Sequence, residues 1–393
     1  MSDAIVVVGM ARTPLGGLQG VLSDLSASEI GAAAIKAAIE RSQLSPDAVD
    51  ETFMGCVLPA GQGQAPARQA SIAAGIPMST GCTTINKMCG SAMKAVMLGM
   101  DAIRAGSSSV VAAGGMESMT NAPYLLSKAR AGMRLGHGQI IDSMFLDGLE
   151  DAYDKGKLMG AFAEATATKY EFSREAQDAY AIESLNRAKK AIETGKFREE
   201  VVPVIIKTRK GEVKVDTDEQ PGNAMIDKIP HLKPAFAKDG TVTAANSSSI
   251  SDGAAALILM TESEALKRGL TPIAKLLAHT THAHEPNWFT TAPVGAITKV
   301  LEAVDWSVED VDLFEVNEAF AVVTMAAMDE LNLPHDKVNV NGGACALGHP
   351  IGASGARIMV TLMAALKDRG LKRGVASLCI GGGEATAIAL EMI

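Results

Sequence analysis

Three residues that can carry out covalent and proton-transfer chemistry stand beside glycine-rich or helix-starting turns. Cys89 lies in INKMCGSAMK (residues 85–94), His349 in NGGACALGHPIGASGA (341–356) and Cys379 in SLCIGGGEA (377–385). A cysteine thiolate is a strong nucleophile, and a histidine held rigidly before a helix suits a general base or the activator of a nearby thiol. If the three side chains meet in one site, one thiol is acylated and the other moves a proton.

Each residue also has a plainer interpretation that the sequence alone leaves open. Free cysteine is among the most buried residue types, a single histidine is more often structural, and a glycine-rich turn is often simply a turn. A helix that begins near Cys89 favours a reactive thiol, because the positive dipole end lowers a thiol pKa. The uncovered N–H groups after Cys379 suit an oxyanion. Asn317, in EVNEAFA, ends a predicted strand, and its amide can hold a water or donate to a substrate oxygen.

Composition excludes several classes of protein. The chain has 393 residues, more than the roughly 150 expected of one domain, so two or more folded units are expected. The apolar residues make up 47% and the charged residues 21%, with a net charge of −9 and few aromatic residues, which indicates a globular protein that does not bind nucleic acid. Apolar runs end before the roughly 20 residues of a membrane span, and the N-terminal residues resemble neither a signal nor a transit peptide. We expect a cytoplasmic protein without a membrane partner.

The cysteines and histidines do not predict a metal site. Five cysteines are an odd number without regular spacing, which favours reduced thiols over a disulfide framework or a zinc knuckle. The histidines of HTTHAH (279–284) fit no standard zinc pattern and are expected to be loop or pocket-rim side chains.

The elements that must position these residues occur twice in the same order. Residues 28–55 and 292–317 both read as a helix, then Ser-x-x-x-Val-Asp, then a strand. VVAAGGMES (110–118) and ASLCIGGGEAT (376–386) share Gly-Gly-x-Glu, and an apolar helix precedes each, at 92–104 and 353–367. The sequence therefore predicts two related α/β halves around a pseudo-twofold axis. Residues 121–240 read as an insertion between them, with nine basic residues and four glutamates at 187–214.

In order and spacing, NKMCGSAMK, GGMESM, VNEAFA, NGGACALGHPIGASGAR and CIGGGEATA resemble the signatures of the thiolase family over essentially the whole chain. The resemblance implies the thiolase fold, an α/β fold whose duplicated βαβαβαββ halves form five layers (α-β-α-β-α) with an inserted loop domain. In this chain the N-terminal half is expected at residues 1–120 plus 241–270, the CoA-binding loop domain at 121–240 and the C-terminal half at 271–393. A homotetramer, built as a dimer of dimers, is also implied.

The same resemblance implies a role for each candidate residue. Cys89 takes the acyl group from acyl-CoA, and His349 activates Cys89. With a water held by Asn317, His349 also stabilises the enolate oxygen. Cys379 removes the α-proton of the second acetyl-CoA, and the backbone N–H groups of Cys89 and Gly381 form an oxyanion hole for the acyl-enzyme. The positions matched to the acyl and pantetheine tunnel are Ser248, Phe236, Met159, Ala319, Phe320 and Leu158, the last where many short-chain biosynthetic members carry histidine.

The activity implied is that of an acetyl-CoA C-acetyltransferase, which joins two acetyl-CoA into acetoacetyl-CoA and CoA through an acyl-cysteine. The alternative is a degradative 3-ketoacyl-CoA thiolase acting on longer chains with the same residues. CoA thioesters are then substrate and product, with no tightly bound cofactor and no metal. A decarboxylating ketoacyl synthase is disfavoured by Cys379, and a non-enzymatic acyl-CoA binder by the presence of all three reactive side chains. TDEQPGNAMID lacks an arginine that many members place near the CoA nucleotide, so lysines or arginines of residues 187–214, with Lys207, Arg209 and Lys210 among them, are predicted to substitute. The alternative for this basic stretch is a solvated helix face and loop.

Overall fold

The strands of the chain are given by a computed structural model that describes residues 3–209 and 211–393. Within those ranges the strands are β1 (Ile5–Arg12), β2 (Gly16–Gly17), β3 (Glu51–Gly55), β4 (Gly81–Ile85), β5 (Val110–Ser118), β6 (Tyr124–Leu125), β7 (Ile141–Asp142), β8 (Val204–Thr208), β9 (Gly211–Val215), β10 (Ser251–Thr261), β11 (Ala274–Ala283), β12 (Leu313–Val316), β13 (Arg373–Ile380) and β14 (Glu384–Met392).

The helices alternate with these strands. They are α1 (Ala27–Ser42), α2 (Pro66–Ala73), α3 (Ser91–Ala105), α4 (Met159–Lys169), α5 (Arg174–Glu193), α6 (Glu219–Asn223), α7 (Glu262–Lys267), α8 (Ala292–Val304), α9 (Ala321–Leu331), α10 (Ala344–Leu347) and α11 (Ser354–Arg369). Ser173 caps α5, because its side chain accepts from the backbone N–H of Ala176. None of the helices in the described ranges has the length and apolar character that a membrane crossing requires.

One mixed sheet carries both halves of the chain. Its strands run in the order β12-β13-β14-β11-β1-β10-β5-β3-β4, with β2 beside β10. The antiparallel pair of β1 and β11 lies at the centre. Outward from it, β1, β10, β5 and β3 correspond in order to β11, β14, β13 and β12. The predicted duplication of α/β halves is confirmed.

The helices form three layers around the two halves of the sheet. Helices α3 and α11 contact each other and lie in the middle, where α3 packs on β3 and β5, and α11 packs on β12 and β13. Helices α1 and α2 cover the outer face of the first half, and α8 and α9 cover the outer face of the second half. The result is the five-layer α-β-α-β-α arrangement, and the ends of β3, β12 and β13 meet the N-terminal ends of the two central helices.

Two equivalent aspartates show which residues of the two halves correspond to each other. The Asp50 carboxylate accepts from the backbone N–H of Val110, at 2.9 Å, and from the residue before it. The Asp312 carboxylate accepts from the backbone N–H of Arg373, at 2.8 Å, and again from the residue before it. Val110 is therefore equivalent to Arg373, and the predicted match between the two Val-Asp pairs is a match in space.

The predicted match of the two Gly-Gly-x-Glu segments is wrong in register. With Val110 equivalent to Arg373, Glu117 corresponds to Ile380, four residues before Glu384. The environments differ accordingly: Glu117 is fully buried, whereas Glu384 is partly exposed and forms an ion pair with Lys87. The Gly-Gly-x-Glu sequence therefore occurs in both segments at positions that are not structurally equivalent.

A buried ion cluster joins β1 to the segment that precedes α6. The Arg12 guanidinium contacts both Asp218 oxygens, at 2.7 and 2.9 Å, and its Nε lies 2.5 Å from a Glu200 oxygen. All three side chains are buried. Because removal of one partner leaves a buried charge unpaired, we expect Asp218→Ala to lower the free energy of unfolding by about 3–5 kcal/mol.

Chemical denaturation followed by circular dichroism measures this change. Glu199→Ala is the matched control, since its ion pair with Lys367 is 58–62% exposed. An exposed ion pair contributes about 0–1 kcal/mol, so the control should unfold close to the unmodified chain. Equal midpoints for the two variants would contradict a stabilising role of the Arg12 cluster.

Candidate active site

Nine of the eleven residues predicted for the site line one pocket of about 370 Å³. These are Cys89, Leu158, Met159, Phe236, Ser248, Ala319, Phe320, His349 and Gly381. The rest of the lining is largely apolar, with Met88, Phe145, Leu149, Phe289 and Ile351 among the side chains. A mostly apolar pocket with a few convergent polar groups is typical of small-molecule sites. The other two predicted residues do not line the pocket: Cys379 belongs to the apolar cluster that contains Phe320 and Ala319, and the Asn317 amide nitrogen lies 3.5 Å from His349 Nε2.

A strained turn presents Cys89 to the pocket. Cys89 lies two residues before the first residue of α3, and Met88 before it has φ 47°, in the left-handed region. The Ser91 hydroxyl closes the turn, since it donates to the Met88 carbonyl at 2.6 Å and accepts from the Lys87 N–H at 2.8 Å. A left-handed conformation costs a non-glycine residue roughly 1–3 kcal/mol and clusters at functional sites.

The Cys89 thiol is protonated in the free protein. Burial raises its pKa to about 11, although the backbone N–H groups of Gly381 and of Cys89 itself point at the sulfur and act in the opposite direction. The expectation that the start of the helix leaves this thiol with a lowered pKa is therefore wrong. Desolvation of a thiolate in an apolar pocket outweighs the donors. A thiol in this state acts as a nucleophile only when a base takes its proton.

His349 is a neutral imidazole that lines the same pocket as that thiol. Burial lowers its pKa to about 3, and the nearby positive charge of Arg357 acts in the same direction. Its Nδ1 lies 2.6 Å from the Ser354 hydroxyl, and its Nε2 lies 3.5 Å from the Asn317 amide nitrogen. A neutral imidazole whose ring lines the same pocket as Cys89 can accept the proton of the thiol.

Asn317 holds its side chain at the end of β12. Its backbone N–H donates to the Ser377 carbonyl of β13 at 3.0 Å, so the parallel pairing of these strands continues up to the site. The next residue, Glu318, is fully buried and accepts from Tyr180, and also from Ser184, Asn339 and the Cys345 N–H. Among the described residues, the buried Asn317 Oδ1 has no hydrogen-bond partner. An acceptor so placed suits a bound water.

Cys379 is the last residue but one of β13 and is fully buried. It packs in an apolar cluster that includes Phe320, Phe289 and Ala319. Burial raises the pKa of its thiol well above the usual range, and a charge on Cys89 raises it further. The two sulfurs are therefore near enough for a charge on one to oppose a charge on the other.

Two backbone donors converge at the Cys89 sulfur. The N–H groups of Cys89 and Gly381 both point toward it. Paired backbone donors of this kind stabilise an oxyanion, at about 2.7–4 kcal/mol per donor in well-studied enzymes. The arrangement suits a tetrahedral intermediate formed on Cys89.

A buried carboxylate that the sequence did not single out joins the two halves at the site. Glu117 accepts from the N–H groups of Val57, Leu58 and Gly352, at 2.9, 3.1 and 2.8 Å. Burial raises its pKa to about 7. Glu117 thereby fastens the loop that follows β3 to the loop that carries His349. The available signal was an acid at the end of an otherwise apolar strand.

The basic residues proposed for the CoA nucleotide do not lie at this pocket. Lys207 and Arg209 are exposed at the turn between β8 and β9, and neither is among the lining residues. The pair of strands packs Val204 and Ile206 against the outer cluster of the first half. Lys210 lies outside the described residues.

Two of the three histidines of residues 279–284 have polar partners, whereas the buried Nδ1 of His282 has none among the described residues. His279 Nε2 lies 3.0 Å from an Asp101 carboxylate oxygen, and His284 Nε2 lies 2.7 Å from the Trp288 carbonyl. Across residues 3–209 and 211–393, no group of three or more His, Cys, Asp or Glu side chains is placed to hold a metal ion.

Comparisons with known proteins agree with this geometry. The family model for the N-terminal domain of thiolase matches residues 5–263, and the model for its C-terminal domain matches residues 270–392. The acetyl-CoA acetyltransferase of Rhizobium meliloti is 47% identical over 393 residues, which is all of both chains. Acetyl-CoA acetyltransferase 2 of Arabidopsis thaliana is 49% identical, with 99% of this chain and 97% of that protein covered.

Two solved structures are similar over the full length. The acetyl-CoA acetyltransferase of Bacillus anthracis has a TM-score of 0.97 at 42% identity, covering 100% of this chain and 99% of that chain. The Acat5 thiolase of Ascaris suum, solved in complex with coenzyme A, has a TM-score of 0.94 at 44% identity, with 100% of both chains covered. Family models, relatives and structures all agree, and the chain belongs to the thiolase family.

Proposed function

We propose that the chain is an acetyl-CoA C-acetyltransferase, which condenses two acetyl-CoA to acetoacetyl-CoA and CoA and also runs in reverse. The observation that carries the proposal is the convergence of Cys89, His349 and Gly381 on one apolar pocket, with the Cys379 thiol near enough for a charge on Cys89 to raise its pKa. Full-length relatives named acetyl-CoA acetyltransferase support the choice of substrate. CoA thioesters are then substrate and product.

In the first half-reaction an acetyl group moves to Cys89. His349 Nε2 takes the Cys89 proton while the sulfur attacks the thioester carbonyl, and the N–H groups of Cys89 and Gly381 stabilise the oxyanion. The carbon–sulfur bond to CoA then breaks. Cys379 gives its proton to the leaving CoA sulfur, which leaves acetyl-Cys89, a Cys379 thiolate and a protonated His349.

In the second half-reaction the new carbon–carbon bond forms. The Cys379 thiolate removes the α-proton of a second acetyl-CoA, and the enolate oxygen accepts from the protonated His349 and from a water held by Asn317. The enolate carbon attacks acetyl-Cys89. When the Cys89 sulfur leaves, His349 returns its proton, so all three side chains regain their starting states.

The order of these steps agrees with the coupling between the sulfurs. A charge on Cys89 raises the pKa of Cys379, which keeps the Cys379 thiol protonated while Cys89 is reacting. Acetylation makes the Cys89 sulfur neutral and removes that contribution. Loss of the Cys379 proton is therefore easiest after the acetyl group is in place, when the base is needed.

Steady-state thiolysis of 3-ketoacyl-CoAs from four to sixteen carbons tests the proposal. We expect kcat/KM to be highest for acetoacetyl-CoA, and acetyl-CoA alone to give acetoacetyl-CoA with release of CoA. A kcat/KM that rises with chain length favours the degradative 3-ketoacyl-CoA thiolase instead, an alternative supported by Leu158 in the pocket lining. No turnover of any of these thioesters would overturn both.

A cytoplasmic homotetramer, a dimer of dimers, is the assembly proposed for this enzyme. The exposed edge strand β4 and the exposed apolar side chains of Met133, Leu135 and Ile140 support an assembly larger than one chain. Size-exclusion chromatography with light scattering measures the mass, and a monomer at micromolar concentration would contradict the assembly.

A further inference from the structure

The ring of His349 has a hydroxyl partner on the side away from the pocket. Ser354, the first residue of α11, is fully buried and places its Oγ 2.6 Å from His349 Nδ1. The same Oγ lies 3.0 Å from the Pro350 carbonyl oxygen. Ser354 is not among the residues that line the pocket, so any influence it has on the reaction passes through the histidine.

The number of available protons decides how these contacts are arranged. A hydroxyl has one proton to donate, and a carbonyl oxygen can only accept. If Ser354 donates to Pro350, His349 Nδ1 carries a proton and donates to the Ser354 oxygen, so both contacts are hydrogen bonds. If Ser354 donates to Nδ1, the contact with Pro350 is lost as a hydrogen bond. The first arrangement makes two hydrogen bonds and the second makes one.

The surroundings of Nε2 agree with the first arrangement. The Asn317 amide nitrogen lies 3.5 Å from Nε2, at the outer limit of a hydrogen bond, and because an amide nitrogen can only donate, this contact is compatible with an Nε2 that accepts. The acceptor for the Ser354 hydroxyl is also held in place. The backbone N–H groups of Ala353 and Ser354 donate to the Pro350 carbonyl at 2.8 and 3.0 Å, as part of the first turn into α11.

We propose that Ser354 is a positioning residue that holds neutral His349 in the Nδ1–H tautomer, with the Nε2 lone pair free to take the Cys89 proton. The ring nitrogen that carries the proton is set by the hydrogen bond that the other ring nitrogen makes. Without this partner an imidazole favours the Nε2–H tautomer, which cannot accept a proton from Cys89. The inference rests on the proposed function, in which His349 is the base for Cys89.

Alkylation of Cys89 by iodoacetamide, with the modified peptide identified by mass spectrometry, tests the tautomer without the need for turnover. At pH 7 we expect Cys89 in Ser354→Ala to react about 10- to 100-fold more slowly than in the unmodified chain, which is at most the low end of what a general base contributes. Because burial raises the pKa of Cys89 to about 11, the direct thiolate grows as the pH rises toward 10. The two rates should then converge.

The pH dependence separates this role from a merely structural one. His349 faces Cys89, Asn317 and Arg357, and none of these changes in Ser354→Ala. A displaced loop lowers the alkylation rate by the same factor at every pH, and that result would overturn the proposal. Equal rates for the variant and the unmodified chain at pH 7 would overturn it as well.

Two further variants keep the test decisive. Ser354→Thr retains the hydroxyl and should keep the pH profile of the unmodified chain, so an alanine-like profile in this variant contradicts the tautomer role even if Ser354→Ala fails to fold. Ser251→Ala is the matched control, because the Ser251 hydroxyl is buried and accepts from the backbone N–H of His349 at 3.2 Å and not from its ring. Its profile should keep its shape.

The proposed function is tested separately in the same samples. Acetyl transfer from acetyl-CoA to Cys89 of the unmodified chain reports on the function, and alkylation reports on the tautomer. If the unmodified chain alkylates with the expected pH profile but is not acetylated, the function fails and the tautomer assignment stands. In the variant that folds, kcat for condensation should fall by about the same 10- to 100-fold while KM for acetyl-CoA stays constant, as Ser354 does not touch the pocket.

Discussion

Cys89→Ala is expected to abolish the acetyl adduct and to lower kcat for condensation by about 10⁴-fold or more, as removal of a nucleophile does in other covalent enzymes. The reason is the geometry around the sulfur. The strained turn at Met88 directs Cys89 into the pocket, where the N–H groups of Gly381 and Cys89 converge on it. Intact mass after incubation with acetyl-CoA measures the adduct, and release of CoA measures the rate.

Cys82→Ala is the matched control for that variant. Cys82 lies on the edge strand β4, is partly exposed, and has its sulfur 3.5 Å from the Thr80 carbonyl. It does not line the pocket. We expect both the adduct and the rate to stay at the level of the unmodified chain. A labile acetyl adduct that persists in Cys89→Ala but disappears in Cys82→Ala would show that Cys82 is the nucleophile and would contradict the prediction.

The order of elements and the candidate residues could be predicted from the sequence, because both depend on local signals. Helix periods, the two Val-Asp pairs and the glycine-rich strand ends are each visible within a few residues. The family resemblance then indicated which cysteines and which histidine belong together. Nine of the eleven predicted residues line one pocket, and this required strands from both ends of the chain to reach the same edge.

Register and electrostatics could not be predicted, because they depend on contacts between distant segments. The Gly-Gly-x-Glu segments looked equivalent, yet the hydrogen bonds of Asp50 and Asp312 place Glu117 opposite Ile380. The start of α3 suggested a lowered thiol pKa for Cys89. Burial by residues from both halves of the chain raises the pKa of Cys89 instead. No local sequence pattern contains this contribution.

The pKa of Cys89, which burial raises instead of lowering, determines how the thiol can react. A thiol whose pKa is raised to about 11 has almost no thiolate at neutral pH, so reactivity depends on transfer of its proton during the attack. A histidine whose pKa is lowered to about 3 is unprotonated at neutral pH and can accept that proton. It keeps the proton only while a negative charge is near. The Cys89 proton is therefore expected to move to His349 during attack on the thioester and to return when the Cys89 sulfur leaves.

Cys379→Ala is expected to separate the two half-reactions. Cys89 and His349 remain in place, so acetyl-CoA should still acetylate Cys89, more slowly because the leaving CoA sulfur loses its proton donor. The α-proton of the second acetyl-CoA then has no base, and we expect kcat for condensation to fall by about 10²–10⁴-fold, the range for loss of a general base. The acetyl-enzyme should accumulate, which intact mass detects directly.

The matched control for this variant is another cysteine near the pocket wall. Cys345 is partly buried, does not line the pocket, and has its sulfur 3.7 Å from the Glu318 carbonyl. Cys345→Ala should therefore condense acetyl-CoA close to the rate of the unmodified chain. Condensation at that rate in Cys379→Ala would remove Cys379 as the base. Loss of the acetyl adduct in Cys379→Ala would instead show that the two sulfurs act together from the first step, because the proton of one is then needed before the other can be acetylated.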